Sequence, residues 1–239
     1  RQLMSWVKVR NEMYKRPDNL TFANLALSER MTKDPMRFYL SQRETVLNIC
    51  QLMTKIQKGL HPFLAANCHL DIFAYSIGAM ISQILLQSDI TPAFKNSKLF
   101  MFCGGGTFCQ MDGNSRYIMD KTAFDTLTTF YSNKFNASND SISQAAYSLF
   151  NAPFLAKERT EFYSRNQNRI RIITLKKDKV IPSTNVIQAI GEASAVCHKQ
   201  LDFDLNYSHE VPFPIAKEPN KEVNAMFQTV MKEASLFLS

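Results

Sequence analysis

The sequence predicts an α/β protein in which a mostly parallel sheet is flanked by helices, and three observations carry the prediction. Apolar runs suited to strands recur at 70–74, 99–103 and 169–175, with a shorter one at 201–205. Helically spaced apolar residues fill the stretches between them. The run Leu99-Phe100-Met101-Phe102-Cys103 is apolar throughout and ends in Gly104-Gly105-Gly106, as a parallel strand covered on both faces does. In such sheets functional groups collect at the C-terminal ends of the strands.

The bulk properties bound this reading. A chain of 239 residues suits one domain over 1–239 with a substantial core, or a domain carrying an insertion. Apolar content of 45% and charged content of 21% are those of a globular protein, and seven glycines are too few for a glycine-rich sandwich. The net charge of +7 comes from basic residues interleaved with acids, as in Lys157-Glu158-Arg159 and Lys176-Lys177-Asp178-Lys179. Without a basic stripe, a nucleic-acid partner is not expected. Cys50, Cys68, Cys103, Cys109 and Cys197 are irregularly spaced, which suits free thiols in a reducing, cytoplasmic compartment. Neither Cys68-His69 nor the Cys103/Cys109 pair has the spacing of a zinc site, so no metal is expected. No apolar run is long enough for a membrane span. That no signal peptide opens the chain is uninformative, because the sequence begins at Arg1 in mid-pattern.

Residues 1–60 read as helical. Trp6, Val7, Val9, Met13 and Tyr14 form an apolar stripe on a first helix that Pro17 stops, and 19–27 is ambiguous. From Pro35 onward Phe38, Tyr39, Val46, Leu47, Cys50, Leu52, Met53 and Ile56 recur at helical spacing, and Gly59 falls where a helix cap belongs. His61-Pro62 disfavours continuation, and His61 reads as a loop or cap histidine.

The strand at 70–74 meets the turn Ala74-Tyr75-Ser76-Ile77-Gly78 and leaves it as an apolar helix over 77–86. Small residues two before and two after the serine let strand and helix approach closely, a need that Ala74 and Gly78 meet. Alone, the string is ambiguous between an ordinary turn and a nucleophile elbow. The triple glycine reads as a tight exit loop, because no Gly-Lys-Ser/Thr follows it to complete a phosphate cradle. Residues 107–168 hold helical stretches with Phe124, Leu127, Phe130, Tyr131, Tyr147 and Phe150, split by a polar tract at 136–141. They read as a helical insertion: either a long crossover, or a cap whose aromatic lining binds an apolar substrate group. The third strand runs into Lys176-Lys177-Asp178-Lys179-Val180-Ile181-Pro182, followed by a helix over 183–198 and the short strand at 201–205. A loop at 206–214 then leads towards the final helix at 221–238.

Ser76, Asp178 and His209 all stand at strand C-terminal ends. Their chain order is nucleophile, acid, histidine, with the first two 102 positions apart and the last two 31. The first interval leaves room for a helical insertion and the second for one helix and one strand. At this point the chain resembles the α/β-hydrolase superfamily over about residues 60–239. The carriers are Ala74-Tyr75-Ser76-Ile77-Gly78, Lys177-Asp178-Lys179-Val180-Ile181-Pro182 and Tyr207-Ser208-His209-Glu210-Val211-Pro212-Phe213. The tail motif is also similar to that of a bacterial group of domain-of-unknown-function proteins related to this fold.

The resemblance implies a serine hydrolase acting on an ester or amide of a small-molecule acyl substrate, without a cofactor. Ser76 would be the nucleophile, His209 the general base, Asp178 the orienting acid, and the Ile77 backbone N–H an oxyanion-hole donor. Each has a rival explanation. Asp178 can cap the following helix, His209 can be a loop histidine, His69 and His198 are weaker bases, and Asp112 is an alternative acid. The chain departs from the resemblance in one respect: nothing in 1–60 looks like the strands that normally precede the nucleophile strand. It is therefore expected to be the C-terminal part of a longer protein, or else a trimmed and inactive form. The rival function is a non-catalytic α/β-hydrolase-like ligand-binding protein. A dehalogenase ranks third, since those enzymes place an acid where Ser76 stands.

Overall fold

The computed structural model describes residues 2–13, 20–151, 156–215 and 220–239. Three helices come first: α1 (Gln2–Met13), α2 (Phe22–Lys33) and α3 (Met36–Gln57). Then β1 (Ile72–Tyr75), α4 (Ile77–Ser88) and β2 (Leu99–Phe102) follow. Between β2 and β3 (Ile170–Leu175) lie α5 (Lys121–Asn133), α6 (Ser141–Phe150) and α7 (Ala156–Asn166). The chain continues through α8 (Ser183–Ile190), β4 (His198–Leu201) and α9 (Lys221–Leu238). The strands form one all-parallel sheet in the order β1-β2-β3-β4.

The two-residue period of the strands divides their side chains between two cores. Leu99, Met101, Ile170 and Ile172 face a large core shared with α3 to α8. Phe100, Phe102, Ile173 and Leu175 face a smaller one closed by Met226, Val230 and Ala234 of α9. This accounts for the unbroken apolarity of β2, whose four residues are all buried. The aromatic residues of the 107–168 insertion are largely taken up by the large core. Tyr131 and Phe150 are fully buried against α3, where the Tyr131 hydroxyl donates to Pro35 O (2.7 Å) and accepts the Tyr39 N–H (2.9 Å). Helix α6 packs on α4 and α5 on α2. The segment of the insertion that reaches the strand ends is the loop ahead of α5, where the Asp112 N–H donates to Val180 O (3.0 Å).

Several sequence expectations are corrected by this arrangement. In α1, Val9 and Met13 are 45% and 67% exposed, while Arg10 is buried. Arg10 makes a two-pronged bond to Asp120 (2.6 Å for each) and a third to Glu29 (2.9 Å), and Asp120 also caps α5 through the Ala123 N–H. Tyr14 and Pro17 lie outside the described residues. Leu52 points outward from α3. β1 begins two residues later than expected, because the Asp71 side chain takes the Lys98 N–H (2.6 Å) and the ladder starts at Ile72. The helix expected over 183–198 stops at Ile190. Gly191 turns the chain at φ 82°, and a Cβ there would lie 2.9 Å from Thr160. His198 is accordingly the first residue of β4, and the expected strand at 201–205 is found three residues earlier.

Candidate active site

Ser76 lies directly between the last residue of β1 and the first of α4. Its backbone is left-handed, φ 53° and ψ −120°, a conformation that costs a non-glycine residue about 1–3 kcal/mol and holds only where the surroundings enforce it. Here the Ser76 N–H donates to Phe102 O (3.2 Å) and its carbonyl accepts the Ala79 N–H (2.9 Å). The close approach that lets the turn form is not at Gly78, where an added Cβ would meet nothing within 4 Å. It is at Gly104, where a Cβ would lie 2.2 Å from the Ala79 side chain. The triple glycine thus serves as an exit loop, and its first member seats that loop against the start of α4.

Asp178 follows β3 in a turn closed by its own N–H on Leu175 O (3.0 Å). Its carboxylate is buried, and Oδ1 accepts the N–H groups of Val180 and Ile181 at 2.9 Å each. His209 is buried in the loop after β4. That loop is anchored by Tyr207, whose hydroxyl accepts the Lys177 N–H (3.3 Å), and by Phe213, which stacks on Phe102 (centroids 5.6 Å).

The three residues meet. Asp178 Oδ2 lies 2.8 Å from His209 Nδ1, and His209 Nε2 lies 2.6 Å from Ser76 Oγ. A carboxylate can only accept, so this contact places the ring proton on Nδ1 and leaves Nε2 as the acceptor for the serine hydroxyl. The other candidates are engaged elsewhere. His61 accepts the N–H groups of Phe63 and Leu64, His69 pairs with Asp71 at the opposite end of β1, and His198 contacts Thr174 and Ser183. Asp112 accepts the Asn114 N–H. Ile77 stands at the first position of α4, so its N–H has no acceptor within the helix.

Sequence reasoning missed three neighbours. Tyr75 stacks on the His209 ring (5.8 Å, 19°), and its hydroxyl donates to the His209 carbonyl. Glu210 accepts the Ser115 hydroxyl. Cys103 is buried beneath the triad, where burial first and Asp178 next push its thiol far above the ordinary range. Ligand atoms of Cys103, Asp178 and His209 come within 4.8 Å of one another, but the imidazole nitrogens already face Asp178 and Ser76. The available signals were positional: Tyr75 precedes the nucleophile, and Cys103 opens the glycine loop. A cavity of about 520 Å³ borders His209 and is lined by polar residues including Asp112, Ser115, Lys177, Lys179 and Glu210.

Fold and site together define a parallel α/β protein with aspartate, histidine and serine hydrogen-bonded in series across its strand ends. The chain belongs to a family of unknown function, DUF6051, whose family model matches residues 1–239. No curated protein and no solved structure matches it.

Proposed function

We propose that the protein is an α/β-hydrolase-like serine hydrolase of ester or amide substrates. The observation that carries the reading is the Ser76–His209–Asp178 series, which joins residues 133 and 31 positions apart with contacts of 2.6 and 2.8 Å. Ser76 Oγ adds to the acyl carbonyl carbon as its proton passes to His209 Nε2. The carbonyl π electrons move onto oxygen, where the Ile77 N–H donates to the developing charge, a contribution of about 10²–10³ in rate for one such donor. Asp178 keeps the imidazole oriented and stabilises its charged form. Collapse of the adduct expels the alcohol or amine, which takes the proton from Nε2. Water then repeats the sequence, releasing the acid and restoring the serine hydroxyl.

The non-catalytic alternative calls for these three side chains to lie beyond hydrogen-bond reach, so their contacts favour the hydrolase. In the cavity beside His209, Ser115, Lys177, Lys179 and Glu210 offer hydrogen-bonding groups to a leaving group. A fluorophosphonate probe tests the reading: wild type is labelled, and Ser76→Ala and His209→Gln are not. An unlabelled wild type, or a Ser76→Ala variant labelled as fast as wild type, overturns it.

A further inference from the structure

The histidine of the site is carried by a loop without regular structure, whereas the serine is fixed to the end of a strand. A general base must stay within hydrogen-bond reach of its proton donor, and small displacements are costly in rate. Tyr75 joins these two parts directly. It is the last residue of β1, so its backbone is continuous with Ser76. Its ring lies nearly parallel to the His209 imidazole, at 19° and with centroids 5.8 Å apart. Its hydroxyl donates to the carbonyl of the same residue, His209. One side chain therefore limits both the tilt of the imidazole and the position of its backbone. Asp178 reaches His209 only through Nδ1, on the other side of the ring from Ser76.

We propose that Tyr75 is a positioning residue that ties the histidine loop to the nucleophile strand and keeps His209 Nε2 on Ser76 Oγ. Burial first, then Cys103, Asp178 and Glu210, hold the phenol well above its usual range, so it remains a neutral donor wherever the protein works. The effect on rate rests on the hydrolase reading above; the effect on His209 does not.

The test uses the full chain with Tyr75→Phe, which keeps the ring, and Tyr75→Leu, which loses both contacts. Two quantities are measured: the rate of fluorophosphonate inactivation, and the NMR signal and exchange rate of the His209 Nδ1 proton. Loss of one neutral hydrogen bond predicts inactivation about 2- to 10-fold slower in Tyr75→Phe, with probe affinity held and the variant fully folded at the assay temperature. Tyr75→Leu is slower again, and the Nδ1 proton exchanges faster in both variants. Wild-type inactivation rates and an unchanged Nδ1 proton in Tyr75→Phe overturn the inference. So does a loss of rate fully accounted for by a smaller folded fraction. If wild type is not labelled at all, the hydrolase reading fails. Faster Nδ1 exchange in Tyr75→Phe would then still support the positioning role, and unchanged exchange would overturn it.

Discussion

Ser76 and Cys103 leave neighbouring strands side by side, both at positive φ, 53° and 49°. Their predecessors, Tyr75 and Phe102, are register partners in the β1–β2 ladder. Each N–H is tied to the next strand over, Ser76 to Phe102 O and Cys103 to Ile173 O. The sheet thus ends in two adjacent positive-φ residues, one presenting a hydroxyl to the site and the other a buried thiol beneath it.

The strain at Ser76 separates two substitutions that both remove the hydroxyl. Ala keeps a Cβ in the left-handed conformation, whereas Gly adopts it freely. Ser76→Gly should therefore be more stable than Ser76→Ala by about 1 kcal/mol in urea unfolding, with neither variant labelled by the probe.

Asp178→Asn retains an oxygen for the Val180 and Ile181 N–H groups and the shape of the turn. It replaces the acceptor of the His209 Nδ1 proton with a donor, which favours the wrong tautomer. Inactivation by a fluorophosphonate should slow by about 10⁴-fold with the melting temperature nearly unchanged, as checked by stopped-time labelling and calorimetry.

The two glycines flanking the elbow should respond in opposite directions. Gly104→Ala puts a Cβ 2.2 Å from the Ala79 side chain, so overpacking should cost about 1–3 kcal/mol and slow labelling as the elbow shifts. Gly78→Ala meets nothing within 4 Å inside a helix and should stabilise by about 0.4–1 kcal/mol. Denaturant midpoints at constant m-value distinguish the two.

Burial opposes the charge on Glu210, yet hydrogen bonds from Ser115, its own backbone and Ser208 bring its carboxyl below the usual 4.5. An acid lowered in the folded state contributes stability that is complete above its unfolded value. That contribution is lost as pH falls through the lower folded value. Ser115→Ala should raise the Glu210 titration midpoint seen by carbon-detected NMR. It should also make the acid limb of the stability profile less steep below pH 4.5.

The parts of this molecule legible in the sequence were those whose environment is uniform. β2 is covered on both faces, so Leu99 to Phe102 are all apolar and the strand announces itself. Among the described residues β4 pairs with β3 alone, and its residues are half-buried or exposed, so His198-Lys199-Gln200-Leu201 carries little periodic signal. The apolar residues that follow, at 201–205, carry the stronger signal and draw the expected strand past it. Ser76, Asp178 and His209 were readable because each stands in a turn at an expected place in the chain. The contacts of Tyr75, Cys103 and Glu210 were not, because they depend on how neighbouring turns are brought together. The aromatic residues of 107–168 were visible as a group, but whether they faced a ligand or α3 depended on packing.

The sheet runs in chain order, and the loop carrying His209 returns from β4 to the end of β1. The Ser76–His209 contact therefore closes only when every strand between them is in place. A backbone cut at any surface loop between 76 and 209 leaves the hydroxyl on one fragment and the imidazole on the other. A reagent that needs both then becomes a counter of correctly reassembled chains, with its yield reporting how faithfully two separate pieces find each other.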